Sequence, residues 1–154
     1  MRRLLTYSAF PLVLSCGSGM SGTVSPNAFA DGLVAVVDRV NDPAWPHDAL
    51  TVDSATVASD TLRLWVRFGG GCRTHRFALL LSRAFMESYP VQVHAELAHD
   101  GAGDPCDARL TRRLEFDRTT LKQRNRAASG AGGGAATIVI HLVGHGQSVR
   151  YIFD

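Results

Sequence analysis

A single lysine, Lys122, stands against fifteen arginines in this chain of 154 residues, and the only glutamates are Glu87, Glu96 and Glu115, each alone. With a formal net charge of +2 and no run of basic residues, the chain lacks the concentrated basic footprint of a nucleic-acid binder. "RLTRRLEFDR" is locally basic, but Glu115 and Asp117 interrupt it. No nucleic-acid partner is expected. No glutamate belongs to a paired acid–base motif, there is no HExxH, and no Ser-His-Asp order with a nucleophile elbow occurs. The expectation is therefore no enzymatic activity and no cofactor. Long apolar runs are also missing. The stretch from Leu4 to Leu14 is far short of the ~20 apolar residues that a spanning helix requires. Cysteine is scarce, with Cys16, Cys72 and Cys106 the only three.

The short apolar run is informative for what surrounds it. Arg2 and Arg3 precede it and "VLSC", Val13 to Cys16, ends it, the order of a signal peptide. The ending resembles the lipobox of bacterial lipoproteins. Val13, Ser15 and Cys16 fit that pattern; Leu14 is larger than the family prefers. The resemblance implies cleavage before Cys16 by signal peptidase II, and lipid, palmitate included, on the Cys16 sulfur and new amino terminus. Several acyl chains on one residue anchor firmly where one binds only marginally. Gly17 follows the cysteine in place of the aspartate that retains lipoproteins at the inner membrane, so the implied destination is the outer membrane. The alternative is an ordinary secretory signal cut near Ser18 or Ser21. Residues 1–15 are read as signal peptide. Residues 16–32, small, polar and interrupted by Pro26, are read as a flexible tether.

From Leu33 the hydrophobic pattern has a period of two. "GLVAVVDRV" reads as a first strand. In "ALTVDSATVASDTLRLWVRF", Leu62, Leu64, Val66 and Phe68 alternate with Arg63, Trp65 and Arg67, a half-buried strand with arginines on its wet face. Phe77, Leu79 and Leu81 share a face. In "VQVHAEL" Val91, Val93, Ala95 and Leu97 point inward and Gln92, His94 and Glu96 outward. "RLTRRLEFD", "TIVIHLVG" and "VRYIFD" follow, with turns at intervals near ten residues. Only Ser82–Tyr89 and Thr119–Ala128 have helical length and composition, and Ser129–Ala136 is too glycine-rich for either element. Residues 33–154 are thus expected to form one all-β domain, an antiparallel β-sandwich of Ig-like general build, with a small β-barrel as alternative.

"FGGGCRTH", Phe68 to His75, poses the chemical question. A phosphate loop needs its glycines between strand and helix with Gly-Lys-Ser/Thr; here they join two strands and no lysine follows. A nucleophilic Cys72 needs a base beside it, and three positions along a strand place His75 on the opposite face. Two readings remain open. Exported cysteines meet an oxidising environment, and once Cys16 is lipidated Cys72 and Cys106 have one possible pairing, a disulfide. Alternatively, Cys72, His75, His99 and Cys106, with Asp100 and Asp104 in reserve, make a Cys2His2 metal set, although seven positions between His99 and Cys106 are wide for zinc. The disulfide is preferred. Asp100, Asp104 and Asp107 do not meet the EF-hand spacing. His141 reads as an outward strand residue and His145 as a turn residue.

"GGGCRTHRFALL", "AHDGAGDPCDARLTRRLEFD" and "IVIHLVG…VRYIF" together resemble small β-rich bacterial envelope lipoproteins without an established activity. That resemblance implies an envelope location and no particular chemistry. The expected function is a lipid-anchored, non-catalytic interaction or structural module, held to the membrane through Cys16 and facing an envelope protein or ligand. The alternative is a metal-binding envelope protein built on His75, His99 and the neighbouring Cys and Asp residues.

Overall fold

The computed structural model describes residues 25–130 and 134–154. The signal peptide, Cys16 and most of the proposed tether lie outside the described residues, as does the 131–133 part of the glycine-rich loop. The alternating stretches become strands: β1 (Leu33–Val37), β2 (Leu50–Ala58), β3 (Thr61–Gly70), β4 (Arg76–Met86), β5 (Val91–Asp100), β6 (Ala108–Asp117), β7 (Ala136–Leu142) and β8 (Gln147–Phe153), with one helix, α1 (Thr119–Ser129), between β6 and β7. They form a five-stranded sheet in the order β1-β4-β5-β7-β8 and a three-stranded sheet in the order β2-β3-β6. The two sheets are not closed into a barrel, so the architecture is an all-β sandwich. Period-two patterning gives strands but not their direction. β1–β4 and β5–β7 are parallel, and the other four pairings are antiparallel.

One face of each sheet builds the core. Leu62, Leu64, Val66 and Phe68 of β3 pack against Phe77, Leu79 and Leu81 of β4, Val93, Ala95 and Leu97 of β5, and Ile138, Ile140 and Leu142 of β7. Complete burial of each large aliphatic side chain contributes roughly 1.5–3 kcal/mol. The alternate residues Arg63, Trp65 and Arg67 face solvent or its margin, as their phase dictates.

Three expectations are corrected. Ser82–Tyr89 is not helical, because β4 continues through Met86 and its pairing with β5 is irregular between Leu81 and Phe85. That irregularity breaks the alternation that would have marked a strand. Glu96 does not face solvent: it is 5% exposed. The segment after β1 folds over the outer face of the five-stranded sheet. There Trp45 joins Ala35, Val37, Ala78, Leu80 and Ala98 in a second, smaller cluster, and Glu96 accepts hydrogen bonds from the Asn41 backbone N–H and His47 Nδ1 (2.9 Å). Finally, residues 29–32, the end of the stretch read as a tether, are docked on the domain. Pro26–Ala28 forms a short 3-10 turn. Asp31 accepts from Phe77 N (3.0 Å) and pairs with Arg112 (2.7 Å), and Phe29 packs on Trp45 at a centroid distance of 6.2 Å.

The helix is tied down from its first turn. Arg118, fully buried, lies with its guanidinium carbon 3.7 Å above the Tyr151 ring, whose hydroxyl donates to Asp60. Burial and the Asp60 contact push the Tyr151 hydroxyl above its ordinary range. Gly130 ends the helix in the left-handed conformation, the usual glycine terminator.

Candidate functional site

The glycine-rich stretch leaves the end of β3 and re-enters the other sheet at β4. Gly70 and Gly71 have φ of +149° and +126°, values that glycine adopts readily and other residues avoid. This turn aligns three successive backbone N–H groups. Those of Gly71, Cys72 and Arg73 all point at one oxygen, Asp104 Oδ2, at 2.9, 2.9 and 2.8 Å. Such a row of amides is a nest, a concave array of partial positive charge that suits an anion. The anion is supplied by the chain itself. Asp104 Oδ1 accepts from Cys106 N at 2.9 Å, so both carboxylate oxygens are engaged.

Burial pushes the Asp104 carboxyl upward. The donors outweigh it: backbone N–H groups of Cys106 and Arg73, the His75 ring and Cys72 N together hold the group well below the usual carboxylate range.

His75 and His99, far apart in sequence, meet because the β4–β5 register sets Phe77 opposite His99. The rings of Phe68, Phe77, His75 and His99 pack as one aromatic group; Phe77 and His99 are parallel within 1° at 4.6 Å, and Phe68 lies 4.7 Å from His75. A hydrogen-bonded chain runs through it. His99 Nδ1 lies 3.1 Å from the Asp48 carbonyl, His99 Nε2 lies 2.8 Å from His75 Nδ1, and His75 Nε2 lies 3.1 Å from Asp104 Oδ2. The partners assign the protons. A carbonyl only accepts, so His99 Nδ1 donates to it. Nε2 of a neutral His99 then accepts from His75 Nδ1–H. The contact with Asp104 is a hydrogen bond only when His75 also carries a proton on Nε2, as an imidazolium facing a carboxylate. Burial lowers the pKa of His99, opposed by its hydrogen bond to Asp48.

Asp48 holds the site from the third side. Its N–H donates to His99 O at 3.0 Å, and its Oδ2 accepts from Gly101 N at 2.7 Å.

Cys72 and Cys106 form a disulfide with a Cα–Cα distance of 5.7 Å, within the range of natural bridges. It lies on the outer side of the nest. Cys72 is exposed, whereas His75, only three residues on, is 7% exposed and turned into the aromatic group. Residues 71–75 are not part of a strand, so face alternation does not govern them. His75 nonetheless shares the inward phase of Phe77 and Leu79.

Of the sequence-derived metal set, the structure brings His75 and His99 together but gives them to each other, to Asp104 and to Asp48. The ligand atoms of Cys72, Asp104 and Cys106 lie within 4.8 Å of one another, yet the two sulfurs are bonded together and so do not present the thiolates a metal ion requires. Asp100 is drawn away to Arg76 and to Ala102 N (2.8 Å). His141 is elsewhere, on the far part of the five-stranded sheet, bonded to Ser148 Oγ (2.7 Å) and Gln92 Oε1 (2.6 Å), and His145 sits in the β7–β8 turn. The central role of Asp104 and the contribution of Asp48 were not legible in the sequence. The one available signal was an aspartate two residues before a cysteine in a glycine-rich loop.

No protein-family model and no curated protein sequence matches the chain. Solved structures do. A NigD-like immunity protein from Bacteroides caccae superposes with a TM-score of 0.51 at 18% identity, covering 79% of this chain and 59% of that one. A provisionally named lipoprotein from Bacteroides fragilis superposes with a TM-score of 0.50 at 13% identity, covering 80% of this chain and 69% of that one. The chain thus spans about three fifths of the length of the first structure. At these identities the likeness establishes a shared fold: the β-sandwich described above.

Proposed function

We propose that this chain is a lipid-anchored protein of the bacterial envelope whose β-sandwich serves as an interaction module. The observation that carries the reading is the closure upon itself of the most chemically suggestive constellation among the described residues. Asp104, His75 and His99 spend their hydrogen bonds on the loop that displays them, and the cysteines spend theirs on a covalent bond. Groups so engaged stabilise a rigid surface loop; they are not poised toward a substrate. The names of the two fold neighbours, one an immunity protein and one a lipoprotein, support an envelope role, and "VLSC" with the residues before it supports the anchor. Outer-membrane placement follows from Gly17 by the lipoprotein resemblance.

The anchor is tested by Cys16→Ser. The parent chain should fractionate with membranes and label with palmitate; the variant should do neither, because Cys72 and Cys106 are bonded to each other. A variant that still labels and sediments with membrane would overturn the anchoring. Elemental analysis tests the competing metal reading. Stoichiometric zinc or copper in the purified oxidised protein would replace the interaction module with a metal-binding role.

A further inference from the structure

The helix α1 is held against the far part of β4 and the end of β8. Leu121 enters the core. Arg124 donates to Ser82 O at 3.2 Å, with its guanidinium carbon 5.1 Å from the centre of the Phe85 ring, and Arg126 donates to the Asp154 carbonyl. One turn after Leu121, on the same buried face, stands Asn125, 7% exposed. Helical spacing calls for an apolar residue at such a position; this chain has an amide. The Asn125 backbone carbonyl accepts from Ser129 Oγ at 2.8 Å, but its side-chain amide makes no hydrogen bond among the described residues. A buried amide without a partner carries a desolvation cost that a bound polar group would remove.

Asn125 opens on a cleft. To one side a cavity of about 440 Å³ runs between Tyr89, Val91, Thr137 and Arg150. To the other a cavity of about 210 Å³ lies among Phe85, Val91 and Ala128. Val91, Asn125 and Ser129 line both, so the two are continuous, with the volume of a small organic ligand. Charge distinguishes their ends. Arg150, exposed on β8, has no ion pair among the described residues. Its outward-facing neighbours on β7 and β8 are Thr137, Val139, Ser148 and Ile152, none of them acidic. Among the described residues Glu87 is the one carboxylate lining the cleft, and it borders the smaller cavity. An anion is therefore favoured beside Arg150 and disfavoured beyond Asn125, where Phe85, Val91 and Ala128 suit an apolar group.

We propose that this cleft binds an N-acylated amino acid, with its amide on Asn125, its carboxylate on Arg150 and its apolar side chain in the space beside Phe85. A side-chain amide presents donors and an acceptor together, the complement of a peptide group. A single unpaired guanidinium fork suits one carboxylate. A sugar would meet too few polar groups in this cleft, and a phosphate chain only one cation. The same chemistry occurs in a free acylated amino acid and at the carboxyl end of a peptide. The site goes beyond the interaction-module reading and depends on neither the anchor nor the disulfide.

The test is isothermal titration calorimetry on the full chain carrying Cys16→Ser, so that no lipid contributes. Saturable binding is expected for N-acetylphenylalanine, with N-acetylphenylalanine amide, which lacks the carboxylate, weaker by about tenfold or more. Arg150→Gln should weaken the acid by about the same factor and abolish its preference over the amide. Asn125→Leu, close in shape, should weaken both compounds while the thermal midpoint holds or rises, because it removes an unpaired buried amide; a lower midpoint with binding retained gives Asn125 a purely structural role and overturns the site. Should Asn125→Leu fail to fold, Arg150→Gln decides alone, since Arg150 is exposed. An acetylated tetra-alanine peptide ending in phenylalanine separates the two sources. Affinity at or above that of N-acetylphenylalanine identifies a peptide carboxyl end; binding of the small compound alone identifies a free acylated amino acid. Absence of saturable binding by either, equal affinity for acid and amide, or an undiminished preference in Arg150→Gln overturns the proposal. Palmitate labelling of the parent chain is read separately, so the anchor and the cleft fail independently.

Discussion

Gly70 illustrates how closely one residue is constrained. A Cβ built there would come within 2.7 Å of His75 Cε1 and 3.0 Å of Asp104 Oδ2, at φ +149°. Gly70→Ala must both strain the backbone and push apart the His75–Asp104 contact, so a loss of about 2 kcal/mol or more is expected in denaturant melts. Gly144→Ala is the control. It has a positive φ of 81° but nothing within 4 Å, and should cost only about 1 kcal/mol of backbone strain. Equal losses at the two sites would refute the packing account. Protonation offers a second test at this scale. Its hydrogen-bond donors hold the Asp104 carboxyl well below the usual carboxylate range, and burial holds His99 below the usual histidine value. In both cases the unfolded chain binds the proton more tightly. Their stabilising contributions are therefore complete above the unfolded values and lost as pH falls through the folded ones. Stability should decline first just below the histidine value and again at carboxylate pH. Asp104→Asn should flatten the second decline and His99→Gln the first; a urea midpoint that is constant or rises on acidification contradicts the assignment.

At the scale of elements, the loop after β5 is fastened to the β3–β4 turn twice, by a covalent bond and by a carboxylate in a nest. Removing the bond between residues 34 apart should cost about 4 kcal/mol on the chain-entropy model. Cys72→Ala, Cys106→Ala and the double variant should lose nearly the same amount, since all three delete one bond; a double variant much worse than either single would show that the thiols have separate roles. Most elements were legible. β3 announced itself because Leu62, Leu64, Val66 and Phe68 face a core while their neighbours meet water, and α1 because Thr119–Ala128 lacks β-branched alternation. β4 was not legible beyond Leu81, where its pairing irregularity resets the phase. Glu96 was misplaced because alternation reports which face a residue occupies and says nothing of what later covers that face. The metal reading grouped His75 and His99, but their direct hydrogen bond to each other was not legible, because it depends on strand register, a tertiary choice that neither residue's neighbours encode. The disulfide could be anticipated because compartment and parity, not geometry, decided it.

For the whole molecule, the proposed anchor turns the position of the described amino end into an expected orientation. Asp31 and Gly32 are held by Phe77 at the start of β4, close to His75 and the disulfide-braced loops. A lipid attached upstream would therefore hold that end of the sandwich toward the bilayer, with the β4–β5 connection around Tyr89, fully exposed, at the opposite end of β4. Limited proteolysis of intact cells or spheroplasts checks this arrangement. Cleavage should come first near Tyr89, and the segment around Cys72 should be protected until the membrane is dissolved. Equal rates at both ends would exclude it.

The two parallel pairings have a consequence for how such a chain could cross a membrane. Leu33 pairs with Ala78, and Val91 with Ile138; no local hairpin can substitute for either. A chain threading amino end first emerges with β1 alone, then a β2–β3 hairpin, while the strands that complete the larger sheet are still inside the channel. Pairings this distant in sequence form slowly. In a chain exported as proposed, the larger sheet can therefore be completed only after β7 and β8 have emerged, and its distant pairings make that completion slow.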